Sequence, residues 1–437
     1  MRSIRKIVVL GANGAMGSGA GAVFAAAGIP TLFLARTLDK AEAGIARANQ
    51  LTKGKIAPDT ARAGAYGDLG QALADADLVL EAVAEDPATK RALFTAIDRL
   101  RTPDTIVATV SSGLSIAGLC GGLSDSFRRN FLGIHLFNPP TAIAGCELIA
   151  HAGTDPGVVA IVRDFLAHRI GREVVETADT PAFAGNRLGF KVLNQVAQLA
   201  EEHGVAFMDQ LVGPHTGRAL PPLATIDLVG WDVHKAIVDH LYTHTHDVAH
   251  DQLRLPAYMQ RGIDRGHLGR KATGKGGFFR RDGKGADAVT LVLDPATGDY
   301  RPLAEVAPPM PAFVEQMRTH IRAGAGGGYR AAMDVLCAAE GRPAELLREI
   351  LLGYISYGLG LVGEVVARPR DIDRIMGFGF HWAPPSILVD AIGPGRTIVL
   401  LERARLPIPK AVVDAAVHQR ALFDEPRVDR AKFFAAA

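Results

Sequence analysis

Four polar side chains suit the oxidation of a secondary alcohol when they act together. They are Ser112, His135, Glu147 and Asn186. Histidine ordinarily titrates near neutral pH, so it can take a hydroxyl proton while hydride leaves the same carbon. A carboxylate on its other ring nitrogen would hold the tautomer and stabilise the imidazolium. The serine and the asparagine would orient the oxygen atoms of the substrate.

Each of these residues also has a structural interpretation. A lone histidine is usually structural or solvated, and Asn186 could bond a neighbouring helical backbone. Glu147 could be a surface charge beside a loop. Ser112 follows a predicted strand, and open α/β sheets bind ligands at the carboxyl ends of their strands. Its place in the sequence therefore favours a role in the site over a purely structural one. The catalytic interpretation depends on the four residues occurring together, since each supplies a different part of the same reaction.

A glycine-rich turn follows the first predicted strand. It reads Gly11, Ala12, Asn13, Gly14, Ala15, Met16, Gly17, a G-x-x-G-x-x-G spacing instead of the usual G-x-G-x-x-G. Glycines allow a tight turn and let the backbone approach a pyrophosphate, which the free amides of the next helix then stabilise. The turn therefore predicts dinucleotide binding. The alternative is a turn that only packs helix on strand.

The end of the second predicted strand leaves the choice of cofactor open. An acid there would bind the ribose 2′-hydroxyl, but the sequence has Arg36. A guanidinium could hold a 2′-phosphate or stack on adenine, or it could be a solvated cation. Asp39 lies close enough along the chain to supply a ribose contact. These residues therefore leave the choice open between NAD, which we take as the expected cofactor, and NADP, the alternative that Arg36 raises.

The elements that position these residues alternate between strands and helices up to about residue 180. We predict strands at Ile4–Leu10, Thr31–Ala35, Asp77–Val83, Thr105–Val110 and Leu132–Phe137. We predict helices at Ala15–Ala27, Leu38–Leu51, Pro87–Leu100 and Ile116–Leu119. Such alternation predicts an α/β domain, a Rossmann-type doubly wound parallel sheet covered on both faces.

Beyond residue 180 the pattern becomes mainly helical. Helical stretches begin with Ala182–Gly204, residues 283–302 predict a short hairpin or loop, and Pro302–Pro311 resembles a linker. We therefore predict domains at 1–180, 181–310 and 311–437. The segments Phe207–Gly213 and Asp371–Gly377 each lead to an apolar segment with Asp and Gly. This weak internal repeat indicates a tandem copy. The alternative is two unrelated helical hairpins.

Composition excludes several classes of protein. The 437 residues carry 48 Lys and Arg against 46 Asp and Glu, so the net charge of +2 gives no global attraction to nucleic acid or membrane. A hydrophobic content of 48% excludes a disordered chain. Three scattered cysteines favour neither a disulfide scaffold nor a metal site, and they fit a reducing cytoplasm. No signal peptide is predicted, and Ile350–Ala367 reads as a buried helix, not a membrane span.

Five segments resemble the L-3-hydroxyacyl-CoA dehydrogenase family. They are Leu80–Glu85 (family Val-Glu-Ala-x-x-Glu), Thr109–Ser112 (Ser-Asn-Thr-Ser), Gly133–Pro139 (Gly-x-His-Phe-Phe-Asn-Pro), Asp179–Arg187 (Asp-Thr-Pro-Gly-Phe-x-x-Asn-Arg) and Thr273–Phe279 (Thr-Gly-x-Gly-Phe-Tyr). The likeness covers most of residues 4–280. The helical region beyond is similar to the dehydrogenase part of long bacterial fatty-acid-oxidation enzymes, without their hydratase segment.

The resemblance implies roles for individual residues. His135 would be the base and Glu147 its orienting carboxylate, while Ser112 and Asn186 would hold the substrate. Glu85 and Lys90 would lie near the nicotinamide half of the cofactor. Two positions depart from the family pattern: Val110 stands where the family has asparagine, and Arg36 where it has an acid.

The resemblance also implies an activity and an assembly. The activity would be interconversion of an (S)-3-hydroxyacyl-CoA and a 3-oxoacyl-CoA, a step of fatty acid β-oxidation. The alternatives are a dehydrogenase of a hydroxy acid without CoA, of the L-gulonate type, and a non-catalytic dinucleotide-binding structural protein. Family members commonly dimerise through the first helical domain, so a tandem copy predicts a monomer, with a homodimer as the alternative.

Overall fold

The computed structural model describes residues 3–272, 274–283, 285, 288–324, 328–429 and 431–434. The chain forms two compact units. The first holds the residues up to Phe183 together with Glu364–Val366, and the second holds the remainder. Thr273, which opens the last of the five family-like segments, lies outside the described residues.

The first unit is built on an eight-stranded, mostly parallel sheet with strand order β3-β2-β1-β4-β5-β6-β7-β8. Its strands are β1 Ile7–Leu10, β2 Thr31–Ala35, β3 Ala61–Ala65, β4 Leu78–Glu81, β5 Ile106–Thr109, β6 Phe131–Leu136, β7 Gly145–Ile149 and β8 Glu173–Thr177. Its helices are α1 Ala15–Ala26, α2 Leu38–Leu51, α3 Leu69–Leu73, α4 Pro87–Leu100, α5 Ile116–Leu119, α6 Asp125–Arg129 and α7 Pro156–Asp164. The predicted Rossmann-type fold is confirmed.

The central strands read as continuous apolar runs because both faces of the sheet are covered. Every residue of β1, β4, β5 and β6 is buried. Two apolar cores flank the sheet, one beneath α1 and α7 and the other beneath α3 and α4. Burial on both faces is the environment in which parallel strands occur.

The sheet departs from the sequence prediction in two respects. The sheet is not entirely parallel, since β7 runs antiparallel to β6. The connection between them spans only residues 137–144, too short for the crossover that a parallel pair requires. The sequence analysis also missed β3, β7 and β8. The β3 segment, Ala-Arg-Ala-Gly-Ala, lacks the β-branched and aromatic residues by which strands are recognised.

The second unit is mainly helical. Its helices are α8 Gly185–His203, α9 Val205–Leu211, α10 Pro222–Val229, α11 Trp231–His244, α12 Ala257–Asp264, α13 Leu303–Val306, α14 Ala312–Ala323, α15 Gly328–Ala338, α16 Arg342–Gly360, α17 Pro369–Ile375, α18 Pro385–Ile392, α19 Pro394–Arg403 and α20 Lys410–Val417. The predicted hairpin is an antiparallel sheet of β9 Phe279–Asp282, β10 Val289–Leu293 and β11 Tyr300–Pro302. The predicted linker contains the short helix α13.

The same hydrogen-bond pattern occurs twice in this unit. Asp209 of α9 accepts the Leu223 and Ala224 N–H groups at the start of α10, with N···O distances of 2.8 and 2.9 Å. Asp373 of α17 likewise accepts the Ser386 N–H at the start of α18. These carboxylates satisfy N–H groups that have no partner within their helices.

A second pair of aspartates repeats as well. Asp227 is the sixth residue of α10 and Asp390 the sixth of α18. The Asp227 carboxylate accepts two consecutive backbone N–H groups, those of Phe278 and Phe279. The Asp390 carboxylate accepts those of Leu422 and Phe423. Helices α9 and α10 (the first helical series) and helices α17 and α18 (the second helical series) therefore have aspartates at two corresponding positions, which supports the predicted tandem copy.

Across the described residues, every helix is too short or too polar to span a lipid bilayer. The segment that most resembled a membrane span begins inside α16, whose residues are largely buried within the second unit. The buried-helix interpretation fits this placement.

Candidate active site

His135 and Glu147 face each other across two strands. They are register partners on the antiparallel pair β6 and β7, and His135 Nδ1 lies 2.6 Å from Glu147 Oε2. Both side chains are buried, His135 being 4% exposed and Glu147 fully covered. Because the carboxylate occupies Nδ1, Nε2 is the ring nitrogen left to exchange a proton with a substrate. His135 and Glu147 thus form a pair, and their roles as base and orienting carboxylate remain predictions.

Two phenylalanines pack against the imidazole. The Phe137 ring centroid lies 5.0 Å from that of His135, and the Phe183 centroid lies 5.7 Å away. Phe183 and the preceding Ala182 both adopt left-handed backbone conformations, with φ values of 55° and 56°. This conformation is energetically unfavourable for residues other than glycine, and such backbone strain concentrates at functional sites. The family-like segment has glycine where this chain has Ala182, a signal that sequence reasoning could have used.

The glycine turn lies directly after β1. Gly11 has a φ of 73°, and a Cβ there would lie 2.4 Å from the Ala82 carbonyl oxygen. A Cβ on Gly17 would lie 2.3 Å from the Gly11 carbonyl oxygen. Gly14 is the N-cap of α1, so the free N–H groups of that helix begin here. The turn therefore fits a pyrophosphate, which needs close backbone approach.

The remaining residues of the turn differ in exposure. Asn13 and Ala15 are exposed, while Met16 is half-buried against one apolar core. The Gly11 N–H donates to the Tyr66 hydroxyl at 3.0 Å, so this amide already has a partner within the protein. Sequence reasoning missed Tyr66, which follows the unrecognised strand β3.

Arg36 lies at the carboxyl end of β2 with its side chain exposed. No carboxylate among the described residues forms a salt bridge with it. Burial raises the pKa of the Tyr66 phenol, while the Gly11 N–H and the charge of Arg36 act in the opposite direction. Asp39 is exposed in the first turn of α2, which Thr37 caps. The cofactor contacts of Arg36 and Asp39 remain predictions.

A buried charge network follows β4. Lys90 Nζ lies 2.8 Å from Glu81 Oε1, and neither side chain is exposed. Glu81 also accepts the Thr109 hydroxyl at 2.6 Å and the Val83 N–H at 2.6 Å. Lys90 lies 3.3 Å from Glu85 as well. The sequence analysis named Glu85 and Lys90 but missed Glu81, which is the closer partner of the lysine.

Glu85 connects this network to the serine pair. Its Oε1 accepts the Ser111 hydroxyl at 2.6 Å and the Ser112 N–H at 2.8 Å. Ser112 is half-buried and lies just past β5, at the sheet edge where the sequence analysis placed it. The structure thus brings Glu85, Lys90 and the Ser112 backbone together, with Ser111 as an additional residue that the sequence analysis did not assign.

Asp179 and Asn186 have separate surroundings. Asp179 accepts the Ser115 hydroxyl and the N–H groups of Ile116 and Ala117, so it caps α5 within the first unit. Asn186 lies in the first turn of α8 in the second unit and is 6% exposed. Its predicted contact with substrate near His135 remains a prediction. Among the described residues, no group of three or more His, Cys, Asp or Glu side chains could hold a metal ion.

Comparison with known proteins places this site in a family. Residues 6–180 match the model of the 3-hydroxyacyl-CoA dehydrogenase NAD-binding domain, and residues 183–279 match the C-terminal domain of the same family. The chain belongs to the 3-hydroxyacyl-CoA dehydrogenase family. This is an oxidoreductase family, and its NAD-binding domain contains the glycine turn, the serine pair, His135 and Glu147.

Two curated relatives differ in how much of their length the chain covers. A probable 3-hydroxyacyl-CoA dehydrogenase of Deinococcus radiodurans is 34% identical over 68% of this chain and 89% of the relative. A Bacillus subtilis protein of the same description is 30% identical over 93% of this chain. The chain covers only 53% of the Bacillus subtilis relative, about half its length.

Solved structures agree with the family assignment. The Escherichia coli 3-hydroxybutyryl-CoA dehydrogenase superposes on 95% of this chain and 99% of its own, with a TM-score of 0.70 at 21% identity, which shows the fold. The Mycobacterium tuberculosis FadB2 structure covers 62% of this chain and 97% of its own, with a TM-score of 0.57 at 28% identity. The fold of the Escherichia coli structure therefore extends through the helical unit of this chain.

Proposed function

We propose that this 3-hydroxyacyl-CoA dehydrogenase homologue interconverts (S)-3-hydroxyacyl-CoA and 3-oxoacyl-CoA with NAD, as in fatty acid β-oxidation. The observation that carries the proposal is the buried His135–Glu147 pair, 2.6 Å apart within the family's NAD-binding domain. An imidazole oriented by a carboxylate is suited to remove the hydroxyl proton. Names of relatives such as the 3-hydroxybutyryl-CoA dehydrogenase of Bradyrhizobium diazoefficiens support the acyl-CoA substrate.

The proposed chemistry assigns one task to each residue. Glu147 holds the His135 Nδ1 proton and stabilises the imidazolium that forms when Nε2 takes the substrate proton. Glu85 holds the Ser112 N–H, which fixes the backbone that presents the serine hydroxyl to the substrate 3-oxygen. Bound NAD supplies the acceptor for the hydride. Asn186 completes the proposal as the residue that orients the substrate.

A substrate panel tests this function. We expect the purified chain to oxidise NADH in the presence of short or long 3-oxoacyl-CoAs. The decrease in absorbance of the reduced cofactor measures this reaction. L-gulonate with NAD belongs in the panel as the substrate of the alternative activity. A Mesorhizobium japonicum relative, 32% identical, is named 5-formyl-3-hydroxy-2-methylpyridine 4-carboxylate 5-dehydrogenase, so that pyridine carboxylate belongs there as well. Turnover of L-gulonate alone would contradict the acyl-CoA proposal. Absence of turnover with every substrate would indicate the non-catalytic alternative.

Replacing Arg36 by aspartate tests the cofactor contact. We propose that the exposed guanidinium of Arg36 is the group that would bind a 2′-phosphate when NADP replaces NAD. Arg36→Asp should then lower kcat/KM for NADPH relative to NADH roughly tenfold, since a hydrogen bond to a charged group contributes about 1.5–3 kcal/mol. Arg47→Asp, an exposed charge reversal on α2, is the matched control. An unchanged ratio of the two efficiencies in Arg36→Asp would exclude this role.

The repeated helical series supports a third proposal, that residues 311–437 are a tandem copy and the chain is a monomer. The paired aspartates Asp227 and Asp390 carry this inference, because each holds two consecutive backbone N–H groups at the same place in its series. We expect light scattering to give the 46.2 kDa mass of one chain. A tight dimer whose mass does not change on dilution would contradict the monomer. A cytoplasmic location likewise remains a prediction.

A further inference from the structure

A cavity of about 720 Å³ in the second unit is lined by four arginines. It lies beside α9, α10, β9 and β10, and the arginines are Arg270, Arg280, Arg281 and Arg318. Its volume falls within the range of small-molecule sites. Pro214, Pro221 and Leu303 contribute apolar wall, so the cavity combines cationic groups with apolar surface.

Four arginines outnumber the two carboxylates, Asp209 and Asp227, that also line this cavity. Arg318 lies 3.4 Å from Glu315, but no described carboxylate forms a salt bridge with the other three arginines. The Asp227 carboxylate borders the cavity and is occupied by the Phe278 and Phe279 N–H groups and by the Trp231 indole. Burial raises the pKa of Asp227 to about 6 and that of Asp209 to about 7, so both groups stay at least partly ionised at neutral pH and offset part of the arginine charge.

The second helical series has side chains of opposite charge at the corresponding positions. Asp227 holds Phe278 and Phe279, which Arg280 and Arg281 follow, whereas Asp390 holds Leu422 and Phe423, which Asp424 and Glu425 follow. The two series therefore place arginines and acids at equivalent positions.

Glu425, an acid at the position that Arg281 occupies in the first series, is surrounded by arginines. Its side chain is 1% exposed and lies 3.5 Å from Arg374, 3.6 Å from Arg370 and 3.2 Å from Arg427. Although burial acts in the other direction, hydrogen bonds and charge from Arg427 and Arg374 lower the pKa of Glu425 overall. The second series thus supplies its own anion to its arginines, and the first series has arginines at the matching position.

We propose that the cavity lined by Arg270, Arg280, Arg281 and Arg318 binds the diphosphate group of a small molecule. Guanidinium groups bind phosphate oxygens in pairs, and several of them are needed to balance a diphosphate. Asp209 and Asp227 offset part of the charge of the four arginines, and a diphosphate would balance the remainder. This site is separate from the glycine turn, which belongs to the first unit.

Titration calorimetry with inorganic pyrophosphate tests the proposal. The full chain is saturated with NADH, so that the glycine turn does not contribute, and is titrated with pyrophosphate, ADP or inorganic phosphate. We expect pyrophosphate and ADP to bind more tightly than phosphate. Binding of pyrophosphate but not ADP would assign the site to the free anion, and binding of both would assign it to a nucleotide.

Three variants locate the site. Arg281→Glu introduces the acid that the second series has at this position, and Arg270→Gln removes one charge with little change in shape. We expect each to weaken pyrophosphate binding roughly tenfold or more, because each removes a charge-assisted contact. Arg403→Gln, on the exposed surface of α19, is the matched control and should bind like the parent chain. Equal binding by all three variants, or no binding by the parent chain, would overturn the proposal.

Discussion

His135→Gln lowers kcat by roughly 100-fold or more while the chain stays folded and still binds NADH. The expected size follows from general base catalysis, which contributes about 10²–10⁴-fold. Glutamine keeps a polar group of similar reach but cannot take up the substrate proton at neutral pH. Because His135 is a register partner of Glu147 on two buried strands, the substitution leaves the sheet pairing in place. Steady-state kinetics with a 3-oxoacyl-CoA measures the effect.

Two companion variants make this result specific. His168→Gln changes an exposed histidine that also lies beside a carboxylate, Asp164, and should leave kcat unchanged. Glu147→Gln keeps the imidazole but removes the charge that stabilises its protonated form, so it should also lower kcat. NADH binding, measured by fluorescence, should be the same in all three. An unchanged kcat in His135→Gln would remove this residue from the mechanism.

Lys90→Met destabilises the chain by about 3–5 kcal/mol, the typical cost of breaking a buried ion pair. The lysine lies between Glu81 and Glu85, 2.8 and 3.3 Å away, and neither its side chain nor that of Glu81 is exposed. Removing the cation leaves the Glu81 carboxylate buried with only the Thr109 hydroxyl and the Val83 N–H as partners. Denaturant unfolding measures the change in the free energy of unfolding.

A surface pair provides the control for this measurement. Lys6 and Asp75 form a salt bridge with side chains 33% and 67% exposed, so Lys6→Met should cost less than about 1 kcal/mol. The double variant Glu81→Leu, Lys90→Met removes both charges and should recover part of the loss, because an apolar pair can replace a buried ion pair. An equal decrease in the free energy of unfolding for Lys90→Met and Lys6→Met would show that burial does not determine how much the Lys90–Glu81 pair contributes to stability.

The sequence predicted those parts of the fold and site that have strong local patterns. The glycine turn and the apolar runs of β1, β2 and β5 are recognisable because their composition and spacing follow directly from local geometry. The strand β3 was missed because alanine and glycine carry no strand signal. The partnership of Glu81 with Lys90 was missed as well, since it depends on a strand and a helix packing together.

The family resemblance supplied roles that local pattern could not. His135 and Glu147 were named together, but their pairing depends on an antiparallel strand that was not predicted. Phe183 was not singled out, because its contact with the imidazole follows from two left-handed residues in succession. Asp179 belongs to the same family-like segment as Asn186, yet its carboxylate caps α5. Motif membership therefore does not distinguish catalytic from structural positions.

The antiparallel pairing of β6 with β7 also bears on how related enzymes are found in genomes. Interstrand hydrogen bonding holds His135 and Glu147 opposite each other, and Phe137 packs against the imidazole, while residues 138–144 connect the two strands. Such connections tolerate insertions far better than the strands they join. A search pattern that demands a constant interval between this histidine and this glutamate would discard homologues whose chemistry is intact. Patterns anchored on each strand separately, with a variable gap, would retain them.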